Sequence, residues 1–255
     1  MTARDHAGAA LAGVGAGLAG GLFGVGGGIV LVPLLTGAFK LTQHQAHGTS
    51  LAAIGATALA SLFVYGAHGN VAWSTAALVA ISSVVAARYG ARWAARISRR
   101  ALARAFAIFM VAVAVRLLWR APSGSGAALV HGWTGLGLDL VLGVAVGLLA
   151  GFMGVGGGLI AVPAFTLLLG MTQTAAQGTS LAVILVTAPA GAIEHARHGN
   201  LVGRLIPGLA IGAAVGGPLG AWIVQGLSHD ILVRAFAVFL LANGAYSWYS
   251  SRHQP

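Results

Sequence analysis

The sequence contains no cysteine, which excludes disulfides, thiolate nucleophiles and cysteine-bound metals. It has only four acidic residues, Asp5, Asp139, Glu194 and Asp230, against fourteen Lys and Arg. All four acids fall near the ends of hydrophobic segments, so the buried carboxylate relay of a proton-coupled pump has no candidates. That leaves anion uniport, exchange, or proton coupling through histidine or the substrate itself. Charged residues make up 7% of the 255 positions, against about 25% in an ordinary soluble domain. A chain so poor in charge cannot cover a surface facing water. No Gly-Lys-Ser/Thr follows any glycine cluster and no G-x-G-x-x-G spacing sits in a βαβ unit, so nucleotide loops are poor rivals. Nucleophile–base and metal constellations are missing too, which argues against an enzyme and implies no cofactor.

What the chain does have is apolar length. Hydrophobic residues account for 58% of it, and runs of about 20 of them recur, enough to cross a hydrocarbon core of about 30 Å. The expected class is an all-α polytopic membrane protein. Forty glycines fit that class, because small residues let transmembrane helices approach closely. The formal charge of +10 would suggest nucleic acid in a soluble protein. Here only Arg88–Arg104 is dense in bases, and the expectation is orientation by positive-inside bias with anionic lipids as partners, not nucleic acid. Arg4 precedes an apolar stretch, as in a signal peptide. That stretch runs straight into a motif that recurs inside the chain, so it is read as retained.

The recurrence is exact in spacing. "GLFGVGGGIVLVP" from Gly21 returns as "GFMGVGGGLIAVP" from Gly151. At an offset of 130, 24 of the 50 positions from Gly21 to Asn70 are identical without a gap. Matches include Thr42-Gln43 with Thr172-Gln173, Gly48-Thr49-Ser50-Leu51 with Gly178-Thr179-Ser180-Leu181, and His68-Gly69-Asn70 with His198-Gly199-Asn200. The chain therefore reads as two tandem homologous repeats, 1–120 and 135–255, joined by a linker at 121–134. Repeat one has hydrophobic segments at 7–39, 46–66, 71–91 and 101–118; repeat two has them at 136–169, 176–193, 201–225 and 231–248.

The first segment of each repeat is too long for one crossing, about 50 Å as a straight helix. Its glycines lie near the middle, where helix propensity is lowest, so it is expected to break there. A kinked crossing would give parallel repeats; a hairpin of two short helices would give inverted ones. With the Arg88–Arg104 cluster placed in the cytoplasm, the kinked arrangement puts eight bases inside and six outside. The hairpin puts eleven inside and three outside, which favours inverted repeats with both termini cytoplasmic.

A break at Gly24-Val25-Gly26-Gly27-Gly28 has a chemical use. Non-helical backbone at membrane depth survives where protein buries it or a cavity lines it. Freed N–H groups at the positive end of a half-helix form an anion site, and two such breaks meeting at the midplane match a secondary transporter. Glycine packing alone is the competing explanation. Gly26, Gly27, Gly28 and Gly156, Gly157, Gly158 are the candidate substrate-binding positions. Thr49, Ser50, Thr179 and Ser180 stand close to helix starts, where their hydroxyls either cap the helix or hydrogen-bond an oxyanion. Gln43 and Gln173 are expected in loop structure at a membrane edge. His68, Asn70, His198 and Asn200 form turns between helices and are candidates for gating or a proton relay as well as for turn structure. Glu194, His195 and His198 resemble a metal cluster, but repeat one has Val64, Tyr65 and His68 there, so no metal is expected.

With these motifs the chain resembles the TauE/SafE family of membrane permeases, the sulfite exporter family, over essentially its whole length. The resemblance implies a bacterial inner-membrane protein moving small sulfur-containing anions such as sulfite or sulfonates. By position it carries over Gly26, Gly27, Gly28, Pro33, Thr49 and Ser50, and their copies Gly156, Gly157, Gly158, Pro163, Thr179 and Ser180. Repeat one has His44 and His47 where repeat two has Thr174 and Gln177, so the site is not expected to be strictly two-fold. An anion channel on the same scaffold and a membrane assembly factor are the alternatives.

Overall fold

The computed structural model describes residues 3–94, 99–119, 133–153 and 157–253. Most of the expected 121–134 linker, Gly156, and every side chain of the arginine cluster except Arg104 lie outside the described residues. Among the described residues there are ten α-helices, a short 3₁₀ turn and no strand. The N-terminal half holds α1 (Ala3–Phe23), α2 (Gly28–Gly37), α3 (Gln43–Ala67), α4 (Trp73–Ala94) and α5 (Arg99–Trp119). The C-terminal half holds α6 (Trp133–Met153), α7 (Gly158–Leu168), α8 (Gln173–Arg197), α9 (Ile206–Gln225) and α10 (His229–His253). Among the described residues, five stretches are long and apolar enough to cross a membrane: His6–Phe23, Gln43–Ala67, Gln173–Arg197, Gly203–Gln225 and His229–Tyr249. Large apolar side chains such as Leu11, Phe63 and Trp222 face outward, a surface that suits lipid and not water.

Glycine decides which helices meet. On α9, Gly208, Gly212, Gly216 and Gly220 recur every four residues, and on α1 so do Gly13, Gly17 and Gly21. A side chain at Gly13, Gly17 or Gly21 would run into the backbone of Leu209, Ala213 and Gly217 in turn. The two helices therefore run parallel with their backbones in contact, the close approach that small residues permit in a membrane. The same geometry recurs at an offset of 130, where Gly143 and Gly147 of α6 press on Val79 and Ser83 of α4. Each half thus lends a helix to the other.

α3 and α8 also pair across the halves, but antiparallel. Gly48 at the start of α3 abuts the Asn200 carbonyl beyond the end of α8, and Gly178 abuts the Asn70 carbonyl beyond the end of α3. α5 and α10 pack antiparallel too, with Arg104 over the Trp248 ring at 5.8 Å and Gly244 against Ala107. Side-chain caps start the central pair: Thr42 accepts from the Gln45 N–H in a capping box, and Thr172 accepts from the Ala175 N–H. Ile54 and Ile184, equivalent residues of α3 and α8, are both buried at the centre.

Between α1 and α2 the chain doubles back. Gly27 sits against the Ala16 carbonyl, Gly20 against the Gly26 backbone, and a Cβ at Gly8 would lie 3.7 Å from the Phe39 ring. α2 therefore returns beside α1 toward the end from which α1 entered. Gly24, Gly26 and Gly27 have φ of 68°, 71° and 86°, a region that glycine enters without steric cost.

Candidate functional site

The two glycine segments come together between α3 and α8. Gly24 through Gly28 are all buried. A Cβ at Gly26 would lie 2.5 Å from Ile54 and 3.4 Å from Ile184. One at Gly158 would lie 2.8 Å from Val25 Cα and 3.0 Å from the Gly24 carbonyl. The two half-helices start alike. Gly27 and Gly157 are N-caps with φ of 86° and 78°, and neither helix has a side-chain cap. In α2 the first bonds run from the Val30 and Leu31 N–H groups to the Gly27 carbonyl; in α7 they run from Ile160 and Ala161 to Gly157. The N–H groups of Gly28 and Ile29, and of Gly158 and Leu159, precede those bonds and point out of the helix starts.

The four expected hydroxyls are fully buried and have internal partners. Thr49 Oγ1 accepts the Val202 N–H at 3.0 Å and Thr179 Oγ1 accepts the Ala72 N–H at 3.0 Å. These are reciprocal ties between a helix start in one half and the chain after the His-Gly-Asn turn of the other. Ser180 Oγ donates across the halves to the Gly24 carbonyl at 2.8 Å, whereas Ser50 Oγ donates to His47 in its own helix at 2.9 Å. The turn residues are structural neighbours of this site. His68 Nδ1 and His198 Nδ1 each lie 2.8 Å from a carbonyl four residues earlier, and the Asn70 and Asn200 N–H groups close their turns on Tyr65 and His195. Asn70 Nδ2 donates to Gln225 Oε1 at 2.7 Å. Among the described residues no group of three or more His, Asp or Glu could hold a metal.

Sequence reasoning missed the polar group at the start of α8. Gln173, expected in a loop at the membrane edge, is on α8 and fully buried, as is Gln177. Gln177 shares Tyr65 with the end of α1: Tyr65 Oη lies 2.8 Å from the Gly21 carbonyl and 3.1 Å from Gln177 Oε1. The one available signal was the His47/Gln177 and Tyr65/His195 mismatch between the repeats. An apolar groove of about 420 Å³, lined by Leu62, Phe63 and Trp73 among others, lies on the outer face.

Comparison with known proteins gives the lineage. The family described as sulfite exporter TauE/SafE matches residues 2–117 and 138–255. The chain belongs to that family. It is 27% identical to the "Probable membrane transporter protein YunE" of Bacillus subtilis (strain 168) over 252 residues, covering 90% of this chain and 92% of that protein. It is 30% identical to a "Probable membrane transporter protein" of Xylella fastidiosa (strain 9a5c), covering 92% and 93%. No solved structure is a significant match. With this family and these helices, the protein is a multi-pass membrane protein of a transporter family.

Proposed function

We propose that the protein is a permease for small oxyanions, sulfur-containing ones such as sulfite or organosulfonates being the first candidates, in a bacterial inner membrane. The observation that carries this reading is the meeting of the two glycine segments, Gly158 against Val25 and Gly24, in a core without a single Lys or Arg side chain among its described buried residues. Two half-helix starts then supply N–H groups and positive dipole ends to one anion. Gly26, Gly27 and Gly28 with Gly157 and Gly158 form the cradle, Gly156 being a candidate from the sequence alone, and the Thr49, Ser50, Thr179 and Ser180 hydroxyls hold its walls.

The antiparallel α3–α8 and α5–α10 pairs and the doubled-back α1–α2 support repeats of opposite membrane orientation, with both termini cytoplasmic and anionic lipid at Arg88–Arg104. Inverted repeats around one midplane site are the usual basis for alternating access. Names such as "Probable membrane transporter protein" favour transport over an assembly role. The direct test is a stability screen of the purified protein against sulfite, sulfate, sulfonates and carboxylates, followed by flux in proteoliposomes. A permease gives saturable flux with counterflow; non-saturating flux without counterflow would identify a channel, and no anion response at all would end the anion reading.

A further inference from the structure

The polar group at the start of α8 has a hydrogen-bond balance that restricts its ligand. Gln173 and Gln177 are one helical turn apart on the same face of α8, both with 0% of their surface exposed. Both side-chain heteroatoms of Gln173 and the Nε2 of Gln177 are buried without a partner. Buried amides without partners are uncommon and costly, so each such group calls for an explanation.

Tyr65 fixes which atom of Gln177 faces the site. Its hydroxyl carries one proton and lies near two oxygens, Gly21 O at 2.8 Å and Gln177 Oε1 at 3.1 Å. Gly21 is in the last turn of α1, where carbonyls lack helical donors. A backbone carbonyl can only accept, so the Tyr65 proton belongs to Gly21. The tyrosine oxygen then needs a donor from Gln177. Oxygen and nitrogen of an amide are exchanged by a half-turn and are assigned from the hydrogen-bond network. The consistent assignment has Gln177 Nε2 donating to Tyr65 Oη and Gln177 Oε1 turned to the unpartnered side. The group therefore presents one fixed acceptor, Gln177 Oε1, beside one amide, Gln173, that turns to donate or accept.

Resting on the oxyanion reading above, we infer that this pair is a specificity site for a singly protonated oxyanion. The ligand's O–H donates to Gln177 Oε1 and an unprotonated oxygen accepts from Gln173 Nε2. A fully deprotonated oxyanion meets an acceptor with no proton between the two oxygens and binds more weakly, which narrows the candidates named above to sulfite in its singly protonated form over organosulfonates. The proton then crosses with its substrate, so the pair itself needs no carboxylate; Asp139, expected near a segment end, is in fact buried on α6. Tyr65 is a positioning residue, since it acts by holding the Gln177 amide. The pair belongs to the C-terminal half alone: at the equivalent place Gln43 Nε2 and His47 Nε2 lie 3.2 Å from each other and Gln43 is exposed.

The test uses matched probes on the purified full-length protein at one mildly acidic pH. Methylphosphonate and ethylphosphonate carry an oxygen-bound proton there; methanesulfonate and ethanesulfonate, of nearly the same shapes and the same charge, carry none. The titratable groups beside the pair, Tyr65 from α3 and His229 (whose Nδ1 accepts the Gln173 N–H at 3.3 Å) from α10, meet all four probes at the same pH. The protonated member of each pair should bind about ten- to hundred-fold more tightly, the size of one charge-assisted hydrogen bond. Tyr65→Phe frees the amide to turn and should shrink that ratio several-fold while both probes still bind, which a merely structural tyrosine would not do. Gln177→Met should remove the preference. Equal binding of the members of each pair, or a ratio unchanged in Tyr65→Phe, overturns the inference and leaves the permease reading standing. Failure of all four probes, of sulfite and sulfate, and of the carboxylates to bind overturns both.

Discussion

At the start of α3, Gln43 and His44 are exposed and His47 is half-buried; at the start of α8, Gln173 and Gln177 are sealed inside. Yet the two helices begin with the same Thr-Gln pair, the same Gly-Thr-Ser-Leu and the same tie from a threonine hydroxyl to a backbone N–H of the other half. The scaffold is duplicated and the chemistry on it has diverged. Ser180 reaches across to the Gly24 carbonyl while Ser50 stays in its own helix, and Tyr65 is replaced by His195 at the equivalent position. A binding site on such a scaffold takes its geometry from the symmetric parts and its selectivity from the asymmetric ones.

The largest contrast between the halves concerns orientation. In the proposed topology the joint between them and the C-terminus lie on opposite sides of the membrane. A fusion after Arg252 should fluoresce as GFP and be inactive as alkaline phosphatase, and a fusion near residue 126 should do the reverse. Equal behaviour at both sites would remove the inversion.

A smaller contrast separates the equivalent glycines. Gly27→Ala would drive a Cβ into the Ala16 carbonyl, whereas Gly157→Ala would meet, among the described residues, the Ala150 and Val146 side chains at 3.2 and 3.5 Å. Both positions have left-handed backbone, which costs an alanine about 1–2 kcal/mol. Overpacking adds about 1–3 kcal/mol at Gly27 alone. Thermal unfolding in detergent should show Gly27→Ala as the more damaging; equal shifts would mean that the halves are closer in packing than described.

At the threonines the halves should agree. Thr49→Val and Thr179→Val each orphan a partly buried N–H, of Val202 and Ala72 respectively, at about 1–3 kcal/mol. Unequal losses in the same unfolding assay would show that one tie carries the interface.

The smallest effect is at Lys40, the one described non-glycine residue with positive φ, 53°. The equivalent Gly170 has φ of 64°. Lys40→Gly exchanges backbone strain of about 1–2 kcal/mol for the flexibility of glycine, about 0.5–1 kcal/mol. A stability gain under about 1 kcal/mol should follow in the same assay.

The membrane class was legible because composition alone rules out a water-facing surface, and the family was legible because its motifs are spaced backbone features. Helix partners were less so. Gly13, Gly17 and Gly21 read simply as small residues, and only the three-dimensional match to the Gly208–Gly220 series shows that α1 belongs against α9. Gln173 was misjudged because hydrophobicity cannot distinguish a polar residue at a segment edge from one enclosed by another helix. Tyr65 entered only as the mismatch that removed a metal cluster at His195, and its contacts with Gly21 and Gln177 join distant parts of the chain that no sequence spacing brings together.

The central claim is that two glycine breaks build one anion site. Equilibrium titration of the oxyanion that stabilises best, into wild type and Gly157→Ala, tests it most directly. The account predicts one anion per chain, bound about ten- to hundred-fold more weakly by the variant, as for loss of a charge-assisted hydrogen bond. Two anions per chain, or unchanged affinity in Gly157→Ala, would contradict it.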